Sequence, residues 1–190
     1  LGKFTLVMHF INYLFSKNEK TPYNTVEKII NVNSPFYNSL IKKTSQDIIF
    51  IQAEENKSIK IEDIRNLKSI LSNSSLSSNP RFIVIDEVEF LNSNSVNALL
   101  KTLEEPSANN FFILINNQQT KLVETISSRC LQTNIFLRSS QRCEIINYLI
   151  EDREIQNLID TNNNLSPGNF IKYNEIYLKY KINKNDNILT

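Results

Sequence analysis

Three short runs of consecutive apolar residues constrain this chain more than anything else in it. They are Ile48-Ile49-Phe50-Ile51, Phe82-Ile83-Val84-Ile85 and the stretch from Phe111 to Ile115. A strand that is apolar at every position has no solvated face, so both of its faces must be covered. Between the runs, Ile61, Ile64, Leu67, Lys68 and Leu71, and then Val96, Leu99, Leu100 and Leu103, recur at helical spacing. Alternating strands and helices of this kind predict an α/β fold, a parallel sheet with helices on both faces joined by right-handed crossovers. A short helix from about Lys121 to Ser127 and a fourth strand over about Gln132 to Leu137 are expected to follow.

Outside the alternating region the pattern changes. Thr5 to Phe15 is almost continuously apolar, which predicts a helix buried on most sides. Ser34-Pro35 has the form of an N-cap with a first-turn proline, opening a short helix that ends near Lys43. Ser72 to Asn79 reads as a polar loop closed by Pro80. After Arg138 only helical patterns remain, roughly Ser140–Ile150, Glu154–Ile159 and Pro167–Lys179. The expected organisation is therefore an α/β core over 1–137 and a small all-helical domain over 138–190.

With 41% hydrophobic residues the chain has the apolar mass for a core, which excludes a disordered tail. A mean hydropathy of -0.29, with no apolar run near 20 residues, excludes a spanning helix. The net charge of +1 creates no field that would draw the whole chain onto nucleic acid or an anionic membrane. Any DNA contact has to be local. Two cysteines, with no leader before the first helix, make the reducing cytoplasm the expected compartment. The 28 Asn, 26 Ile and 15 Lys share AT-rich codons, so Asn and Lys are weaker clues here than elsewhere.

In an open parallel sheet, ligands sit beyond the carboxyl ends of the strands. Asp86 and Glu87 follow the second apolar run, and Asn116 and Asn117 follow the third. The acidic pair suits magnesium binding and water orientation, and equally a solvated strand end. Gly2-Lys3 precedes a helix, where the tail of a phosphate-binding loop would lie. Its hydroxyl, however, comes one place late, at Thr5 behind Phe4. That step rotates a helical side chain by about 100° away from the usual metal position. Glu104-Glu105 closes a helix before Pro106, where the helix dipole favours cations, and such a breach points to a cause outside the helix or to an i,i+4 pair of Glu105 with Lys101. Arg129, in Ser127-Ser128-Arg129-Cys130, offers a planar fork for phosphate or for a surface carboxylate. Cys130 and His9 read as packing residues, and one histidine with two separated cysteines does not suit zinc.

In this order the segments Ile59 to Arg65, Asp86-Glu87, Asn97-Ala98-Leu99-Leu100-Lys101-Thr102-Leu103-Glu104-Glu105-Pro106 and Thr125-Ile126-Ser127-Ser128-Arg129-Cys130 resemble the bacterial DNA polymerase III clamp loader. The resemblance is to AAA+ proteins of the gamma/tau and delta-prime type, covers about Leu1 to Phe170, and is closer to delta-prime. It implies a P-loop-like core that begins part-way through its first motif at Leu1 and a helical lid, with the family's C-terminal collar absent from the sequence up to Thr190, whether the sequence is partial or this member is truncated. Gly2 and Lys3 would be the last two matched positions of the Walker A loop, with Thr5 nearby. Asp86-Glu87 would be the Walker B pair, Asn116 and Asn117 the sensor 1 region, and Arg129 an arginine finger offered in trans. The sensor 2 motif would start at Ser166-Pro167-Gly168.

Three departures shape the functional expectation. Phe4 stands in place of the magnesium-binding hydroxyl, Asn169 in place of the sensor 2 arginine, and Tyr23 to Gln46 lacks the cysteines of the zinc module. Losing the first two impairs magnesium placement and charge neutralisation. The resemblance then implies a delta-prime subunit of the clamp loader that does not hydrolyse ATP, requires no cofactor of its own and holds no zinc. Its partners would be the gamma/tau and delta subunits, with the sliding clamp and primer-template DNA met through the complex and no membrane involved. An active gamma/tau-like ATPase is the alternative, favoured by the intact acidic pair.

Overall fold

The computed structural model describes residues 2–53, 58–72, 80–117, 122–160 and 165–181. The Ser/Asn loop after residue 72, Lys121 and the residues after 181 lie outside this set. Two compact units divide between Thr133 and Asn134.

In the first unit the three apolar runs become β1 (Ile48–Ile51), β2 (Arg81–Ile85) and β3 (Asn110–Leu114), a parallel sheet in the order β1-β2-β3. Ile48 lies beside Phe82 and Ile51 beside Ile85, while Phe82 lies beside Phe111 and Ile85 beside Leu114. Side chains alternate across a strand, so this register sorts the apolar residues onto two faces. On one face, Ile51, Ile83 and Ile85 pack with Ile64 and Leu67 of α3 (Ile61–Ser72) and Leu99 of α4 (Ser93–Glu104). On the other, Ile48, Phe82 and Val84 pack with Ile11 of α1 (Lys3–Phe15) and Leu40 of α2 (Pro35–Ile41). The helices of two crossovers share a face because the sheet advances in one direction and crossovers keep one hand. The α/β class with helices on both faces is thus what the apolar runs imply.

Local chemistry sets the helix ends. Ser34 Oγ accepts from the Tyr37 amide, and Asn92 Oδ1 from that of Ser95, each satisfying an otherwise free first-turn donor. Pro106 lies two residues past the end of α4. A single turn, α5 (Glu124–Ser127), seats Ile126 against Val88 and Val96.

Three expectations fail here. Only Ile11 and Asn12 of α1 are buried, while Leu6, Phe10 and Tyr13 are exposed. Residues 132–137 form no strand, and Phe136 is 74% exposed. Strand composition is realised only where a neighbouring ladder and a covered face exist, and none of the described residues supplies them there. Residues 155–160 are likewise irregular rather than helical.

The second unit contains α6 (Ser139–Asp152) and α7 (Pro167–Tyr180), joined through Ile146, Phe170 and Ile171. Asn174, fully buried on α7, accepts from the Leu158 amide, so the irregular segment is held by a side chain in place of a helical ladder. Among the described residues, no helix is long and apolar enough to cross a membrane.

Ile83 is fully buried on the middle strand. Ile83→Ala should lower unfolding stability by about 2–5 kcal/mol, as expected of a truncation in a packed core, measured by urea denaturation. Phe111→Ala, at a half-exposed site on an outer strand, should cost less.

Candidate functional site

The carboxyl end of β2 delivers Asp86 and Glu87, and that of β3 delivers Asn116 and Asn117. Asp86 Oδ1 accepts from the Glu87 amide at 2.9 Å. Glu87 itself takes the left-handed conformation (φ 55°), which few non-glycine residues adopt, and the chain turns there into a single 3-10 turn, Val88–Phe90. That turn leads back to β3. The Val88 amide donates to Ile115 O at 3.0 Å, and Glu89 Oε1 accepts from the Asn117 amide at 3.0 Å. The acidic strand end and the asparagine strand end are therefore tied by two hydrogen bonds.

Glu89 was not among the sequence candidates. A carboxylate four residues beyond a strand end carries no periodic signal, and its partner is a backbone amide 28 residues away. Its second oxygen is buried and has no hydrogen-bond partner among the described residues.

Lys3 joins the same place. It opens α1 directly after Gly2, which caps the helix in the left-handed conformation (φ 68°), and its Nζ donates to Asn116 O at 2.5 Å. The structure thus brings Lys3 to Asn116, next to Asn117 and the turn that follows Asp86 and Glu87. Phe4 and Thr5 diverge from this cluster. Phe4 turns into the core against Phe50, ring centroids 5.8 Å apart, and Thr5 is exposed. The position after the lysine therefore presents a ring to the sheet and no oxygen to a cation. As a magnesium site, this helix start does not fit.

Burial raises the Glu87 carboxyl above the ordinary glutamate range, and the neighbouring charges of Asp86 and Glu89 add to the effect. Burial also pushes the Cys130 thiol up, away from the thiolate a nucleophile needs. His9 shares a hydrogen bond with the Tyr23 hydroxyl at 3.0 Å, a polar role beyond packing.

Arg129 belongs to a separate locus. It follows α5 on the surface, and its guanidinium pairs with Glu104 at the end of α4. The carboxylate that offends the α4 dipole is thus matched by a cation from another element. In the second unit, Ser166 Oγ accepts from the Asn169 amide, leaving Asn169 exposed in the first turn of α7. A cavity of about 310 Å³ beside β1, lined by Lys43, Gln52, Lys60 and Asp63 among others, touches none of these residues.

The raised Glu87 carboxyl makes a pH prediction. The folded chain binds more protons than the unfolded one from the ordinary glutamate value, about 4.3, upward, so stability falls as pH rises through that window. Glu87→Gln should therefore be more stable than the parent near pH 7.5, and the advantage should vanish below about pH 4, by urea denaturation at both pH values.

Comparison with known proteins gives concordant matches. The family model described as DNA polymerase III, delta subunit, matches residues 1–137. The DNA polymerase III subunit delta' of Pseudomonas aeruginosa is 34% identical over 90 residues, 47% of this chain and 27% of that protein. That of Buchnera aphidicola subsp. Schizaphis graminum is 30% identical over 126 residues, 63% of this chain and 38% of that protein. The subunit tau of Salmonella typhimurium is 42% identical over 89 residues, 47% of this chain and 14% of that protein. The chain spans about a quarter of the length of the Pseudomonas relative that it matches.

Proposed function

The chain belongs to the DNA polymerase III delta subunit family, and from that premise we propose that it acts in the clamp loader as a delta-prime-type subunit. It does not turn over ATP itself, and it supplies Arg129 to the ATP site of a neighbouring subunit. Its partners are the gamma/tau and delta subunits, and it meets the sliding clamp and primer-template DNA through them, in the cytoplasm. Residues 138–190 serve as its lid.

The observation that carries this reading is Arg129 itself, an exposed guanidinium at the tip of α5. A fixed cation aimed at developing phosphate charge is worth most in a site closed from water, which a subunit boundary provides. The absence of turnover in the chain's own site is supported by Phe4, seated in the core where a hydroxyl is needed, and by Asn169, uncharged at the head of α7. The chain requires neither its own nucleotide nor zinc in this role.

A gamma/tau-like ATPase is the second reading, favoured by Asp86 and Glu87 emerging together at the end of β2. Steady-state ATP hydrolysis by the full-length protein alone separates the two. The delta-prime reading expects no turnover above background and no change on Glu87→Gln. Turnover that Glu87→Gln abolishes would establish the motor. In the reconstituted complex, Arg129→Ala should slow ATP hydrolysis severalfold, far less than the 10³–10⁵ that an arginine finger contributes in GTPases, because other sites keep theirs.

A further inference from the structure

Glu104 occupies a place that helix electrostatics disfavours, at the C-terminal end of α4. What it does there is hold Arg129. Its Oε1 accepts from Arg129 Nε at 2.9 Å and from Nη2 at 2.5 Å, so one carboxylate oxygen grips one edge of the guanidinium. Nη1 donates to Thr125 O at 2.8 Å and reaches Ser128 Oγ at 3.3 Å. The fork is thus gripped from α4 and from α5. Among the described residues, no acceptor takes the second Nη2 hydrogen. The pair also remains open to an outside group, with side chains 34% and 48% exposed for Arg129 and Glu104.

We propose that Glu104 is the positioning residue for Arg129, holding the guanidinium in one rotamer in which the remaining Nη2 hydrogen can serve the phosphates of a nucleotide on the adjoining subunit. This rests on the reading of Arg129 as acting in trans. An unrestrained arginine gives up its rotamer freedom when it meets its anion, and Arg129 has surrendered that freedom already. Glu104 is well suited to the task because α4 is anchored by Leu99, fully buried against the sheet. The carboxylate offsets part of the guanidinium charge. A polyphosphate can take the remaining Nη2 hydrogen without Glu104 releasing the Nε edge. Only the geometry of approach is in its gift, so its removal acts on the rate of the chemical step more than on nucleotide affinity.

The test is ATP hydrolysis by the clamp loader reconstituted with full-length protein, resolved into kcat and KM, for Arg129→Ala, Glu104→Ala, Glu104→Gln and the Arg129→Ala/Glu104→Ala pair. Glu104→Ala should lower kcat by at least about threefold with KM for ATP nearly unchanged. Glu104→Gln, which keeps the Oε1 acceptor, should recover most of that loss. On the Arg129→Ala background, Glu104→Ala should add nothing, because the two side chains act as a unit. If Arg129→Ala slows the complex while Glu104→Ala does not, or if the Glu104→Ala loss is undiminished on the Arg129→Ala background, the positioning role is wrong and the trans role stands. A complex indifferent to Arg129→Ala overturns both. A loss that Gln fails to recover, with the subunit still folded by circular dichroism, also overturns the positioning role.

Discussion

The strand β2 is the constraint on which the rest of the first unit depends. All five of its residues are buried, and it pairs on both sides, with β1 and with β3. Such a strand has no freedom of register. A slip of one residue would exchange Phe82 and Val84 with Ile83 and Ile85 between two differently shaped layers of helices. The place where β2 stops is consequently the best-defined point in the molecule, and Asp86 and Glu87 stand there.

Precision at that point is extended by hydrogen bonds to the backbone at the end of β3. The left-handed turn at Glu87 and the short turn after it bring Val88 and Glu89 back to β3, so that Ile115 and Asn117 are bonded from the β2 side. Lys3 closes the group from α1. Phe4, in place of a hydroxyl, strengthens the packing under β1 and weakens the same position as a metal ligand. Stability and chemistry pull this residue in opposite directions, and packing has won.

The two carboxylates ending α4 show how a breach of a local rule can be read. Alone, Glu104 is unfavourable beside the last carbonyls of a helix. Paired with Arg129 it is compensated, and the compensation comes from a residue 25 positions later. Exposed ion pairs contribute little to stability, so the value of this one lies in where it puts the guanidinium.

Much of the architecture was legible in the chain itself. Runs such as Phe82 to Ile85 are apolar because both faces are covered, Ser34-Pro35 caps a helix through its own hydroxyl, and Pro106 follows the end of α4, all effects that act over a few residues. The strand-end candidates were legible for the same reason, since the end of an apolar run marks where the backbone emerges. Residues 132–137 misled because strand composition is local whereas strand formation needs a partner. Glu89 was missed, and the grip of Glu104 on Arg129 with it, because those contacts join positions 28 and 25 residues apart. By itself, the sequence determined the element types, the layered α/β class and the exits of the strands, all consequences of short-range periodicity and burial. Only the tertiary structure decided which side chains meet at those exits, because hydrogen-bond and ion-pair partners are chosen by distance in space and leave no period along the chain.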